Sequence, residues 1–323
     1  MRQALKNVRE FFLEESLKRF FQGTYALNEH LASHTSMRIG GPARVMLMPR
    51  DVHDLARLVR FLRAVGMRFA VLGAGTNVLI GDNSLPLAII KLNAPFFRKL
   101  KITGQTVFAA AGVALAAVRD EAAAQGLTGG EFLTGIPGTV GGALVMNAGV
   151  RGLEQEPAGT WHSMADCVTK VGVMDEQGNI ALYSRAQIEF GYRSSSLKKG
   201  IVLGAWMEFA PAEPAAIAER TREFFERKQR TQEFSRPNAG CVFKNPIDAT
   251  LSAGRLIDLC QLKGRAIGDA QISTVHGNFI VNNGAACFQE VKSLMELIQQ
   301  EVFRKFAVWL EPEVEIWDTG GRQ

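Results

Sequence analysis

The chain has 323 residues, 47% of them hydrophobic and 21% charged, with a formal net charge of +5 and a pI near 9.1. That length can bury at least one large core and allows two or three domains, and no apolar run reaches the roughly 18 residues of a membrane helix, which argues for a globular protein without a membrane span or signal peptide. The basic residues are dispersed, with no basic run interleaved by aromatics, so anionic small ligands explain the charge without nucleic acid.

Residues 1–23 begin the chain as an expected amphipathic helix, with Leu5, Val8 and Phe12, then Leu13, Leu17 and Phe20, at helical spacing. Glu10, Glu14 and Glu15 argue against a mitochondrial presequence, which is poor in acids. Asp51 can cap a helix from Val52 to about Val65, ended by Gly66. The apolar run Phe69 to Leu72 reads as a buried strand feeding the turn Gly73-Ala-Gly-Thr-Asn77. A nicotinamide-binding Rossmann turn needs a third glycine and a long helix, and Val78 to Asp82 supplies neither. What remains is a nest of backbone N–H groups, with Thr76 and Asn77 as side-chain donors, suited to a pyrophosphate.

Val113 to Gln125, stopped by Gly126, repeats the helix pattern. Between Gly135 and Gly149 the glycines 135, 138, 141, 142 and 149 are too dense for a packed element, and a flat or anionic ligand can approach such a backbone closely. Cys167 to Met174 and Ile180 to Ser184 form a predicted β-hairpin across Asp175 to Asn179, and Ile201 to Phe209 is another strand. Pro211 and Pro214 break the pattern before a charged helix to about Arg230, which marks the expected domain boundary. Leu251 to Leu262 and Cys287 to Phe306 read as amphipathic helices around the strand Asn278 to Asn282, and Val308 to Ile316 as a final strand with Glu311, Glu313 and Glu315 on one face. The class is α+β.

Cys167, Cys241, Cys260 and Cys287 lie far apart without a CxxC, and His30, His34, His53, His162 and His276 form no ligand-spaced pair, so no metal site or disulfide framework is expected and a reducing cytoplasm fits.

Several motifs in chain order carry a resemblance. They are His34-Thr-Ser-Met-Arg-Ile-Gly-Gly41, the two glycine loops, Phe190-Gly-Tyr-Arg193, Asn238-Ala-Gly-Cys-Val-Phe-Lys-Asn-Pro246, Ala253-Gly-Arg-Leu-Ile-Asp258, Gln261-Leu-Lys-Gly264 and Leu310-Glu-Pro-Glu-Val314. Together they span nearly everything after Gly23, and the chain resembles the UDP-N-acetylenolpyruvoylglucosamine reductases, or UDP-N-acetylmuramate dehydrogenases. No tyrosine-bearing insertion follows Phe209, so it is similar to the compact subclass lacking that loop. The resemblance implies a vanillyl-alcohol-oxidase-type (PCMH-type) FAD-binding domain in two lobes, residues 24–91 with 308–323 and residues 92–211, plus a smaller α+β substrate-binding domain over 212–307. It also implies non-covalent FAD, NADPH as hydride donor, UDP-N-acetylenolpyruvoylglucosamine as the small-molecule substrate, and a place in peptidoglycan synthesis. A cytoplasmic monomer is expected, with no nucleic acid or membrane partner.

By the same resemblance the flavin contacts are Arg38, Gly73, Ala74, Gly75, Thr76, Asn77, Thr134, Gly135, Pro137, Gly138, Thr139, Gly142, Asn147 and Ala148. Hydride from reduced flavin N5 would enter the enolpyruvyl terminal carbon, so cations and an acid are needed beside the substrate carboxylate. Arg193 offers a planar fork there, Glu313 matches the catalytic glutamate, and Cys241 stands where the family's proton donor is usually Ser. Cys241, with an ordinary thiol pKa of about 8.5, is expected to be alkylation-sensitive. Tyr192, Lys244, Asn245 and Arg230, with Lys228 beside it, are candidates for the substrate. Two further departures are Glu315, where the family usually has Arg, and His34, where Asn is common. A flavin oxidase of the same architecture is the alternative, although no His or Cys for covalent attachment lies in 73–83 or 129–149. A catalytically dead flavin- or UDP-sugar-binding protein is a third class, opposed by the presence of Arg193, Glu313, Lys244 and Asn245.

Overall fold

The computed structural model describes residues 12–247, 250–318 and 321–322. Of the N-terminal helix, residues 12–20 are helical and bury Leu13 and Leu17 in the main core, while Phe12 is exposed; residues 1–11 lie outside the described residues.

The first lobe is a four-stranded sheet in the order Thr24–His30, Pro42–Met48, Leu85–Ile90, Phe69–Val71. Its last three strands run parallel. Leu85 and Leu87 to Ile90 are all buried, as a strand covered on both faces requires. Asp51 Oδ1 accepts from Asp54 N at 2.9 Å and so starts the helix Val52–Ala64, and Gly66, at φ +63°, ends it. A short parallel pair, Val78–Ile80 with Glu315–Asp318, brings the end of the chain back to this lobe.

The second lobe is a five-stranded antiparallel sheet ordered Ile180–Ser184, Val168–Met174, Ile201–Glu208, Thr106–Ala110, Leu100–Thr103. The hairpin is where the turn residues put it: Asp175 Oδ1 accepts from Gln177 N and Asn179 N, and Gly178 takes φ +74°. The third body has its own sheet, Asn238–Cys241, Phe279–Asn282, Ala270–Ile272, Ala266–Ile267, backed by helices Ala253–Leu259 and Phe288–Phe306 over a separate core that includes Ile257, Leu294, Ile298 and Leu310.

Two elements differ from the sequence reading. Helix Pro214–Thr231, expected in the third body, buries Phe224 in the core of the lobes, so the change of core falls after this helix. The final strand is Glu315–Asp318 and not Val308 to Ile316. Pro312 has no N–H for a ladder, and the preceding stretch is held one bond at a time, by Lys244 N to Glu311 O and Glu313 N to Val242 O.

Candidate active site

A cavity of about 970 Å³ is lined by residues of both lobes and the third body. Both glycine loops face it. The first leaves the carboxyl end of Phe69–Val71, and Gly75 sits at φ +68°, where a Cβ would collide with the His34 carbonyl. The second turns into the short helix Val140–Val145, and a Cβ on Gly141 would press on Ala111 at 3.0 Å. At these positions what approaches the backbone is protein. In front of Gly138 and Gly142 the space is open, with only Thr76 Oγ1 and Thr139 Oγ1 at 3.6 and 3.7 Å. Thr76 Oγ1 donates to Pro137 O at 3.0 Å, which joins the two loops into one cradle.

Arg193, Cys241 and Glu313 meet on the cavity wall. Arg193 Nε lies 2.7 Å from Glu313 Oε1, and Arg193 Nη1 donates to Gly149 O at 2.8 Å. The guanidinium also lies over the Trp161 and Tyr192 rings, each 5.5 Å from the centroid. Burial pushes the Glu313 carboxyl above the usual range, partly offset by Arg193 and Lys244. Cys241 follows Gly240 (φ +78°) at a register shift between its strand and Phe279–Asn282, the kind of bulge that re-aims a side chain. Burial, reinforced by Glu313, pushes its thiol up to about 12, with Arg193 and an Asn278 hydrogen bond opposing.

The segment carrying Glu313 is fixed at three points. Its N–H donates to Val242 O at 2.8 Å, its carbonyl accepts from Asn77 Nδ2 at 3.1 Å, and Glu315 N donates to Asn77 O at 3.1 Å. The three glutamates each take a different cation: Glu311 pairs with Lys244 at 3.3 Å, Glu313 with Arg193, and Glu315 with Lys198 at 2.7 Å.

Of the expected contacts, Gly73 to Asn77, Gly135, Pro137, Gly138, Thr139, Gly142 and Ala148 line the cavity. Others do not. Arg38, at φ +58°, and Arg230 are exposed away from it. Thr134 is buried behind the second loop with its hydroxyl unpaired among the described residues. Asn147 braces that loop, with Nδ2 donating to Gly191 O and Oδ1 accepting from Ala165 N. Lys244 is held at Glu311, and Asn245 Oδ1 accepts from Ala253 N at the start of helix Ala253–Leu259, while the Tyr192 hydroxyl takes Asn245 N at 3.4 Å.

Lys228, and not Arg230, reaches the cavity, buried to 3% exposure with its aliphatic stem against Gly135. Burial, with Arg227, Arg193 and Arg119 adding repulsion, pulls its ammonium down to about 7. The signal lay in the sequence: Ile217, Phe224 and Lys228 share one helical stripe, and a lysine among buried positions is out of place unless it has work in a site.

Residues 231–317 match the family described as UDP-N-acetylenolpyruvoylglucosamine reductase, C-terminal domain, and residues 43–182 match FAD binding domain. The chain is 40% identical over 306 residues to the UDP-N-acetylenolpyruvoylglucosamine reductase of Caldanaerobacter subterraneus, covering 94% of this chain and 96% of that one. It is 33% identical over 305 residues to the Bacillus subtilis reductase, covering 94% and 97%. The crystal structure of the Thermus caldophilus reductase superposes with a TM-score of 0.77 at 35% identity, over 92% of this chain and 100% of that one. The chain belongs to the UDP-N-acetylenolpyruvoylglucosamine reductase family. Both glycine loops fall inside the FAD-binding match, and Cys241 and Glu313 inside the C-terminal match. The cavity fits the flavin that this reductase family implies, with an open cradle at Gly138 and Gly142 and neither Cys nor His in either glycine loop to bond it covalently.

Proposed function

We propose that the protein reduces UDP-N-acetylenolpyruvoylglucosamine to UDP-N-acetylmuramate in peptidoglycan biosynthesis, as an FAD-dependent oxidoreductase with NADPH as hydride donor. The observation that carries this reading is the convergence of Arg193, Glu313 and Cys241 on one wall of the cavity that the glycine loops line. FAD, held at the two glycine loops, would supply the hydride chemistry between NADPH and the enolpyruvyl double bond. With Nε at Glu313 and Nη1 at Gly149, Arg193 keeps only Nη2 uncommitted, so it would offer the substrate carboxylate one donor where the sequence suggested an open fork. Cys241, protonated at neutral pH, holds the proton that the reduced carbon needs. Lys228 replaces Arg230 as the cation for the substrate's anionic groups, while Asn245 N donates to the Tyr192 hydroxyl outside the cavity lining. The lobes then comprise 24–91 with the strand Glu315–Asp318, and 92 to the end of helix Pro214–Thr231, while the third body, whose core takes Leu310 and Val314, binds the substrate. No helix among the described residues is long and apolar enough to cross a membrane, and we propose a cytoplasmic monomer.

The deciding experiment is a visible spectrum with an NADPH oxidation assay run with and without the enolpyruvyl sugar nucleotide. Expected are a yellow protein that releases intact FAD on denaturation and NADPH consumption that requires the substrate. Steady NADPH consumption with oxygen alone would make it an oxidase, and a colourless protein that cannot be reconstituted would refute flavin catalysis. Since one cavity must serve both reactants, initial-rate plots should show alternating occupancy with competitive substrate inhibition, and a ternary-complex pattern would contradict it.

A further inference from the structure

Lys91 lies outside the motifs that define the site, yet its side chain lines the same cavity. It follows strand Leu85–Ile90, with Lys91 N donating to Leu47 O and Leu72 N to Ile90 O. That places it at the carboxyl ends of three parallel strands, beside the start of the first glycine loop, which is where open parallel sheets receive ligands. Its Nζ is 2.9 Å from His34 Nδ1, and His34 Nε2 is 2.8 Å from Glu29 Oε1. An ammonium only donates, so Nδ1 is the acceptor and the ring proton sits on Nε2, aimed at Glu29. The His34 segment in turn rests on the glycine loop, since Ser36 N donates to Gly75 O at 3.0 Å and a Cβ on Gly75 would strike the His34 carbonyl.

No carboxylate lies within ion-pair distance of Lys91 among the described residues, and Arg98 adds a second positive charge nearby. Burial, then Arg98, pull the ammonium below its usual range, with Glu29 only partly restoring it. A half-buried cation held by an imidazole and pressed by another cation, beside a nest of backbone N–H groups, is complementary to an anion.

We propose that Lys91 contacts the diphosphate of the bound FAD, and that His34 and Glu29 are positioning residues that hold its ammonium there. The inference rests on FAD occupying this cavity, and it extends the binding site beyond the glycine loops.

The test titrates the apo-protein with FAD and, separately, with riboflavin, which has the same ring and no phosphate, following flavin fluorescence. Lys91→Met and His34→Ala should each weaken FAD roughly 10- to 100-fold, the effect of one charge-assisted contact, and leave riboflavin unchanged. Lys91→Arg should recover most of the affinity, and the double variant should lose no more than Lys91→Met alone, because the two residues act as one unit. An unchanged FAD affinity in Lys91→Met, an equal loss for both flavins, or additive losses in the double variant would overturn it. A wild-type protein that binds neither flavin would instead overturn the FAD reading and the proposal with it.

Discussion

Arg193 and Glu313 meet across the cavity wall with Nε 2.7 Å from Oε1, and Arg193 does so from the left-handed region, at φ +54°. A non-glycine residue there costs on the order of 1–2 kcal/mol and persists only when its surroundings hold it. Here Glu313, the Gly149 carbonyl and two aromatic rings do so before any substrate arrives.

Arg193→Lys keeps the charge but loses the planar group that places Nε beside Glu313 and Nη1 on the Gly149 carbonyl. Reduction of the flavin by NADPH should stay near wild type, and reoxidation by the enolpyruvyl substrate should slow roughly 10²–10³-fold. Stopped-flow measurement of each half-reaction decides it. Equal losses in both would make Arg193 structural only.

Cys241→Ala should bind FAD and accept hydride from NADPH normally while product formation slows by roughly 10²–10⁴, the usual contribution of a general acid. Cys241→Ser should keep substantial activity, since a hydroxyl in that place can still donate. Turnover of the Ala variant at wild-type rate would assign the proton to another group or to water.

The structure alters one expectation about this cysteine. Alkylation proceeds through the thiolate. With the Cys241 thiol pushed up to about 12, inactivation by iodoacetamide should be slow at pH 7 to 8 and accelerate only in alkali. Glu313→Gln removes the carboxylate that helps raise it, so the inactivation profile should move to lower pH. Rapid, substrate-protected inactivation of the wild type at pH 7 would show that the Cys241 thiol is more acidic than its surroundings dictate.

Lys228 gives the apo-protein a pH-dependent weakness. Its ammonium is lowered from 10.5 to about 7 on folding, so between those values the unfolded chain binds more protons than the folded one, and stability rises as pH rises through that window. The full span corresponds to on the order of 5 kcal/mol. Lys228→Met should therefore raise the urea midpoint of the apo-protein at pH 7, with the gain vanishing towards pH 10.5. The same variant should weaken binding of the sugar nucleotide. A midpoint difference independent of pH would contradict the burial of a charged lysine.

What could be read from the sequence was whatever a few neighbouring residues decide. Asp51 and Gly66 bound a helix by their own chemistry, Asp175 and Gly178 make a turn wherever they stand, and the glycine loops announce themselves by density. The rest required chain ends to meet. Nothing near Lys91 or His34 in sequence says that they touch, and Arg230 looked as good as Lys228 until the helix showed which of them faces inward. Asn245 sits in a recognisable motif, yet its side chain is occupied by the N–H of Ala253. Pro312 was visible all along, and its missing N–H is why the last strand starts three residues later.

The three hydrogen bonds that hold the segment carrying Glu313 have a mechanical meaning. Val242, next to the thiol, and Asn77, in the first glycine loop, hang from the same short stretch of chain through bonds about 3 Å long. The same two bodies are joined elsewhere as well, by Ser36 Oγ donating to Asn238 O, Asn282 Nδ2 to Met37 O and Phe288 N to Asp82 Oδ2. With attachments spread along the seam, the spacing between Cys241 and the first glycine loop is set by the fold itself, and whatever enters the cavity meets one fixed gauge.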